Sequence, residues 1–134
     1  YIFLMMDIDN FKAVNDIYGH HEGDEVLRYI ADSLRQFFRR DDVVIRIGGD
    51  EFVVFIYPCS SVAAIEQKIQ KISERYLRKI EQEDPLSRSS LSFGGVKYNR
   101  TTSFLELYKR ADQVLYKVKH NCKGQFKIVE MKTE

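Results

Sequence analysis

Two groups of carboxylates stand where folding alone has little use for them. Asp7 and Asp9 follow a continuous apolar run, Tyr1-Ile2-Phe3-Leu4-Met5-Met6, and Asp50 and Glu51 follow the pair Gly48-Gly49. A run apolar on both faces predicts a central strand covered on both sides, so the acids at its end sit at the rim of a sheet. Residues 43–47 and 52–57 are rich in β-branched and aromatic side chains and flank the double glycine. That pattern predicts a hairpin with a two-residue turn at Gly48-Gly49, because primed turns need the positive φ that glycine reaches cheaply. Asp50 and Glu51 then open the returning strand, although Asp is depleted in strands. A charged hairpin tip in water is the plain alternative. If the hairpin pairs beside the first strand, however, Asp7 and Asp50 converge. Two hard oxygen ligands on rigid strands, with room for water and phosphate, suit Mg²⁺ or Mn²⁺.

The remaining elements must position these acids. Phe11, Val14, Ile17 and Tyr18 define one face of a short helix capped by Asp9 or Asn10. The backbone N–H groups of such a helix start form a ready phosphate site, and Lys12 lies in that first turn, where a cation opposes the helix dipole. Tyr18-Gly19-His20-His21-Glu22-Gly23 predicts a loop. The adjacent histidines point in different directions on most backbones and lack a third ligand at helical spacing, which argues against a metal site. A long helix is predicted over 24–38 from the stripe Val26, Leu27, Ile30, Ala31, Leu34 and Phe38. Asp24 and Glu25 would suit its positive end. Arg39-Arg40-Asp41-Asp42 forms a charged turn into the hairpin.

Beyond the hairpin, Pro58-Cys59-Ser60-Ser61 breaks the strand. Val62, Ile65, Ile69, Ile72, Tyr76 and Ile80 then repeat at helical spacing, giving a packing helix over 62–80. A polar loop over 81–89 leads to a strand over 91–98, where Gly94-Gly95 predicts a bulge or a close backbone approach. Ser103 with Glu106 in capping-box position opens a last helix whose apolar face is Leu107, Ala111, Val114, Leu115 and Val118. A short strand over 125–129 closes the chain. The predicted order is β-α-α-β-β-α-β-α-β, an α/β fold with a central, mostly antiparallel sheet flanked by helices.

Composition narrows the function classes. The 134 residues carry a net charge of +1, with 44% apolar residues. A chain of this size forms one domain with a core that needs no staples. A near-neutral balance provides no broad basic field for nucleic acid, and no apolar run is long enough to span a bilayer. Cys59 and Cys122 form no metal-binding spacing, and two free thiols in a reducing cytoplasm are expected. Asn99-Arg100-Thr101 matches a glycosylation sequon that carries little weight without a signal peptide. The opening at Tyr1, directly inside an apolar strand, reads as a fragment or partly ordered piece of something longer.

Gly48-Gly49-Asp50-Glu51-Phe52 matches the signature pentapeptide of the GGDEF family, the diguanylate cyclases. Asp7-Ile8-Asp9-Asn10-Phe11-Lys12, Asn15-Asp16, Tyr18-Gly19-His20 and Gly23-Asp24-Glu25 resemble that family's first motif block, in order and at its spacing. Residues 111–119, Ala-Asp-Gln-Val-Leu-Tyr-Lys-Val-Lys, resemble its closing helix. The resemblance covers nearly the whole chain. It departs where family members have Gly then Asn, positions held here by Cys122 and Gly124, and it lacks the helix and short segment that usually precede the first strand.

The resemblance implies a palm-like fold shared with nucleotidyl cyclases and polymerases, with a ferredoxin-like core. It implies condensation of two GTP into cyclic di-GMP, with release of pyrophosphate, by a homodimer in which each domain holds one GTP. Asp7, the Ile8 carbonyl and Asp50 would hold Mg²⁺ or Mn²⁺, two ions with substrate. Glu51 would act at the second metal or in deprotonation. Asn15 and Asp24 would hold guanine, whose N1–H and N2–H₂ suit one carboxylate, whereas adenine presents an acceptor there. Asn10, Phe11, Lys12, Lys119 and Lys123 would bind phosphates. Arg39 and Asp42 form an RxxD pair five residues before the double glycine, where many relatives hold an inhibitory product site, and the arginine fork suits phosphate and guanine. The alternative is a silent module that binds GTP or cyclic di-GMP as a sensor.

Overall fold

The computed structural model describes residues 1–58, 61–99 and 101–131. Cys59 and Arg100, with the free-thiol and sequon readings that rest on them, lie outside the described residues. Five strands form one sheet in the order β2-β3-β1-β4-β5. They are β1 (Ile2–Asp9), β2 (Val43–Gly48), β3 (Glu51–Ile56), β4 (Ser90–Lys97) and β5 (Phe126–Glu130). Four helices connect them: α1 (Phe11–Tyr18), α2 (His20–Phe37), α3 (Val62–Glu83) and α4 (Phe104–Asn121). A 3₁₀ turn spans Pro85–Ser87. All pairings are antiparallel except β4 with β5, which α4 joins as a crossover.

The apolar run of β1 is central because both faces are covered. Ile2, Leu4, Met6 and Ile8 pack with Val26, Ile30 and Leu34 of α2 and with Ile65, Ile69, Ile72 and Tyr76 of α3. Phe3 and Met5 point the other way, onto Leu107, Ala111 and Leu115 of α4. Burial of alternate residues into two cores explains why the run shows no polar alternation.

Three expectations are corrected, and a fourth is narrowed to one of its two alternatives. The predicted 18–23 loop shrinks to Gly19, whose φ of 94° ends α1 while its N–H donates to the Asn15 carbonyl, and α2 restarts at His20. Ile17 is 48% exposed rather than part of a buried face, because α2 covers only the Val14 side of this short helix. The hairpin turn is Gly49-Asp50, not Gly48-Gly49: a bulge between Arg46 and Gly48 absorbs one residue and pairs Gly48 with Glu51. Asp50 therefore lies in the turn, where its short polar side chain is at home. Gly94-Gly95 is a close approach without a bulge, since the register with β1 is unbroken there. An added Cβ on Gly94 would lie 2.5 Å from the Leu115 backbone nitrogen.

Candidate active site

The C-terminal end of β1 and the β2–β3 turn form one corner of the sheet. Asp7 is the register partner of Glu51, and the Ile8 N–H donates to the Asp50 carbonyl at 3.2 Å. Arg46 braces the turn from below, giving two hydrogen bonds to the Gly49 carbonyl at 2.9 and 2.7 Å. The expected convergence of Asp7 with Asp50 therefore exists. Burial, and then the Asp7 charge, push the Asp50 carboxyl above its ordinary value. Glu51 is raised chiefly by burial too, with Asp7 and Asp50 adding to the rise and a hydrogen bond from Tyr108 opposing it.

Lys119, in the last turn of α4, reaches into this acid cluster. Its Nζ is 2.5 Å from Asp7 Oδ2 and 3.8 Å from Asp9 Oδ1. Asp9 is 2% exposed, and its Oδ2 accepts from Ser90, Ser92 and the Gly124 N–H, while the buried Oδ1 has no hydrogen-bond donor among the described residues. These bonds dock the turn after α4 onto the end of β1, and thereby place Lys123, whose Nζ donates to Asn10 Oδ1 at 3.3 Å. Lys123 thus reaches the site although Cys122 and Gly124 replace the usual neighbours. Sequence reasoning placed Asp9 at the sheet rim and as an alternative cap of α1, without its partners. Its actual partners, Ser90 and Ser92, lie more than 80 positions away, and no local pattern links them to it.

Asn10 has φ 58°, and no side chain caps α1. Its Nδ2 donates to the Arg88 carbonyl instead. Among the described residues no side-chain cap closes this helix start, and Lys12 in its first turn is exposed. That is an anion-binding arrangement. Asn15 lies against Gly23: an added Cβ there would meet Asn15 Oδ1 at 1.9 Å. Gly23 thereby brings Asn15 beside the next residue, Asp24. Because α2 begins at His20, Asp24 is past its first turn, where only Glu22 is acidic, so the helix dipole does not account for it. Gly23→Ala is expected to turn Asn15 aside with little loss of fold; if Asn15 holds guanine, as the resemblance implies, the KM for GTP rises by about tenfold, the scale of one lost polar contact. An unchanged KM would show that Asn15 does not touch the nucleotide.

Arg39 and Asp42 lie apart from this corner. The Asp42 side chain is fully buried and accepts from the Arg39 and Tyr57 backbone N–H groups at 2.9 and 3.0 Å and from the Arg39 guanidinium at 3.4 Å. The guanidinium also donates to the Tyr57 carbonyl. Asp42 therefore holds the turn and the arginine in place. Arg35 and Arg40, which sequence reasoning did not select, line the same cavity of about 380 Å³.

The profile of the family described as "Diguanylate cyclase, GGDEF domain" matches residues 1–125. The chain belongs to the GGDEF domain family. It is 38% identical over 135 aligned positions to the "Uncharacterized protein YhcK" of Bacillus subtilis, covering 98% of this chain and 37% of that protein. It is 36% identical over 127 positions to "Diguanylate cyclase DgcM" of Escherichia coli K12, covering 90% of this chain and 29% of that protein. The chain thus spans about a third of the length of these curated relatives. The fold superposes on the active GGEEF domain of a diguanylate cyclase from Vibrio cholerae with a TM-score of 0.82, at 28% identity, covering 98% of this chain and 83% of that one. The palm-like architecture is that of the GGDEF domains.

By chemistry the donor set of this GGDEF corner suits a divalent cation: Asp7 and Glu51 on adjoining strand ends and Asp50 in the turn supply hard oxygens, and one lysine is the counter-charge drawn in. Burial, with their mutual repulsion adding to it, raises the Asp50 and Glu51 carboxyls. Among the described residues no three His, Cys, Asp or Glu side chains are already gathered closely enough to hold a metal ion. Among the described residues no helix is long and apolar enough to cross a membrane.

The raised carboxyls have a measurable consequence. A group whose folded pKa lies above its unfolded value stabilises the fold at low pH, and that contribution is lost as pH rises through the folded value. For Asp50 and Glu51 the loss occurs above their ordinary values of 3.8 and 4.5. In chelator, Asp50→Asn is therefore expected to raise the Tm at pH 7, with the gain vanishing as pH falls through that window. If the wild-type cluster holds Mn²⁺ and the variant does not, adding the ion should reverse the order at pH 7. Parallel Tm curves for the two proteins across pH would refute this account.

Proposed function

We propose that this GGDEF domain condenses two GTP into cyclic di-GMP with release of two pyrophosphates. The observation that carries the reading is the convergence of Asp7, Asp50 and Glu51 with Lys119 at one corner of the sheet. Asp7, the Ile8 carbonyl and Asp50 would hold Mg²⁺ or Mn²⁺, with Glu51 beside them at a second ion. The metal would supply charge neutralisation at the α-phosphate and acidify the attacking hydroxyl. Lys119 and Lys123, with the open N–H groups of α1 and Lys12, bind the β- and γ-phosphates and stabilise the leaving pyrophosphate. Asn15 and Asp24 select guanine through its N1–H and N2–H₂ donors. Gly48 has ordinary φ and nothing within 4 Å of an added Cβ. Neither packing nor backbone strain calls for glycine there, which fits a strand edge kept bare for close approach of the nucleotide.

Each domain holds one GTP, so the 3′-hydroxyl of one substrate attacks the α-phosphorus of the other across a homodimer. The second attack closes the ring. Arg35, Arg39 and Arg40 form a separate anion-binding cavity suited to the product's phosphates and guanines. The test is incubation of an artificially dimerised protein with GTP and Mg²⁺, with chromatographic detection of cyclic di-GMP. GTP binding without turnover would replace the cyclase reading by that of a nucleotide sensor.

A further inference from the structure

Tyr108 lies one turn into α4, outside the motifs that mark the family. Its hydroxyl donates to Glu51 Oε1 at 3.1 Å. The ring is held from behind by an aromatic cluster. Phe104 lies 6.1 Å from Tyr108 between ring centroids, and Phe3 and Phe55 pack on Phe104 at 5.8 and 6.1 Å. Phe3 and Phe55 themselves meet edge-on at 5.0 Å. Those two belong to the same strands, β1 and β3, that carry Asp7 and Glu51. The phenol is thus fixed to the strands whose carboxylates it faces, and it engages one of the two Glu51 oxygens.

We propose that Tyr108 is a positioning residue for the divalent-cation site: its hydroxyl fixes the Glu51 carboxylate so that the second oxygen is presented beside Asp7 and Asp50. The proposal rests on the metal-dependent reading of this corner. A flexible Glu side chain loses rotamer freedom on binding a metal, and a donor that orders it beforehand removes that cost. Donors to a ligating carboxylate behave in this way generally, and their loss weakens metal affinity or activity about 10- to 100-fold.

The experiment measures Mn²⁺ affinity by electron paramagnetic resonance, in the presence of a non-hydrolysable GTP analogue, for wild type, Tyr108→Phe, Glu51→Ala and the double variant. Tyr108→Phe keeps the ring and its packing, and its Tm is expected to stay within a few degrees of wild type. Its Mn²⁺ affinity is expected to fall about tenfold, with analogue affinity in chelator unchanged. In the Glu51→Ala background the same substitution is expected to have no effect, which a general loosening of α4 would not reproduce. Equal Mn²⁺ affinity of wild type and Tyr108→Phe overturns the proposal and leaves the metal site standing. An equal loss in the Glu51→Ala background also overturns it. A wild-type protein that binds the analogue but no Mn²⁺ overturns the metal reading, and this proposal with it.

Discussion

Asp7→Asn is expected to lower the rate of cyclic di-GMP formation at saturating Mg²⁺ by at least about a thousandfold, the scale seen when a preorganised electrostatic element of a transition state is removed. The substitution is nearly isosteric and the side chain is 20% exposed, so the fold should survive. Asp7 meets three other parts of the site. It opposes Glu51 in register, raises the Asp50 carboxyl and accepts from Lys119. Replacing it withdraws the proposed cation ligand and releases the lysine from its anchor at once. The check is product formation against GTP consumption, with circular dichroism for the fold. A variant within tenfold of wild type would remove Asp7 from the chemistry.

Gly94→Ala should give the largest stability loss of any single methyl group added to the sheet, about 3 kcal/mol. The added carbon would meet the Leu115 nitrogen at 2.5 Å, its Cα at 2.8 Å and the Ala111 carbonyl at 2.9 Å. All three are helix backbone, which cannot turn aside as a side chain does. Relief requires lifting α4 from Phe3, Met5 and Val96. Gly95 is the control. Its nearest neighbours are the side-chain atoms Ile128 Cγ1 and Leu4 Cδ1, at 3.0 and 3.2 Å, so Gly95→Ala should cost about 1 kcal/mol. Urea denaturation of both variants decides the matter, and equal losses would show that α4 is not seated on Gly94. Because α4 carries Tyr108 and Lys119, Gly94→Ala should also disturb the acid cluster.

Much of this architecture was legible from periodicity. The stripes on α2, α3 and α4 are all core faces, because a helix that covers a sheet must bury one row of side chains and solvate the rest. The Ser103 cap was visible for the same local reason, and its Oγ accepts from the Glu106 N–H. The turn was misplaced by one residue because a bulge changes strand register without changing the hydrophobic pattern that predicts it. The start of α2 was misplaced because one glycine with positive φ interrupts two helices as effectively as a longer loop.

The sequence alone determined the chemical inventory: which carboxylates, lysines and glycines this chain holds, and the motif spacing that ties them to the GGDEF family. Residue type and short-range spacing are written directly in the chain. Only the tertiary structure decided which groups share a site. Asp9 joins Ser90, Ser92 and Gly124, Lys119 lies on Asp7, Asp42 is consumed in holding Arg39, and Tyr108 reaches Glu51 across 57 positions. Such contacts arise where strand register and helix seating bring distant segments together, and no local pattern of residues encodes that distance.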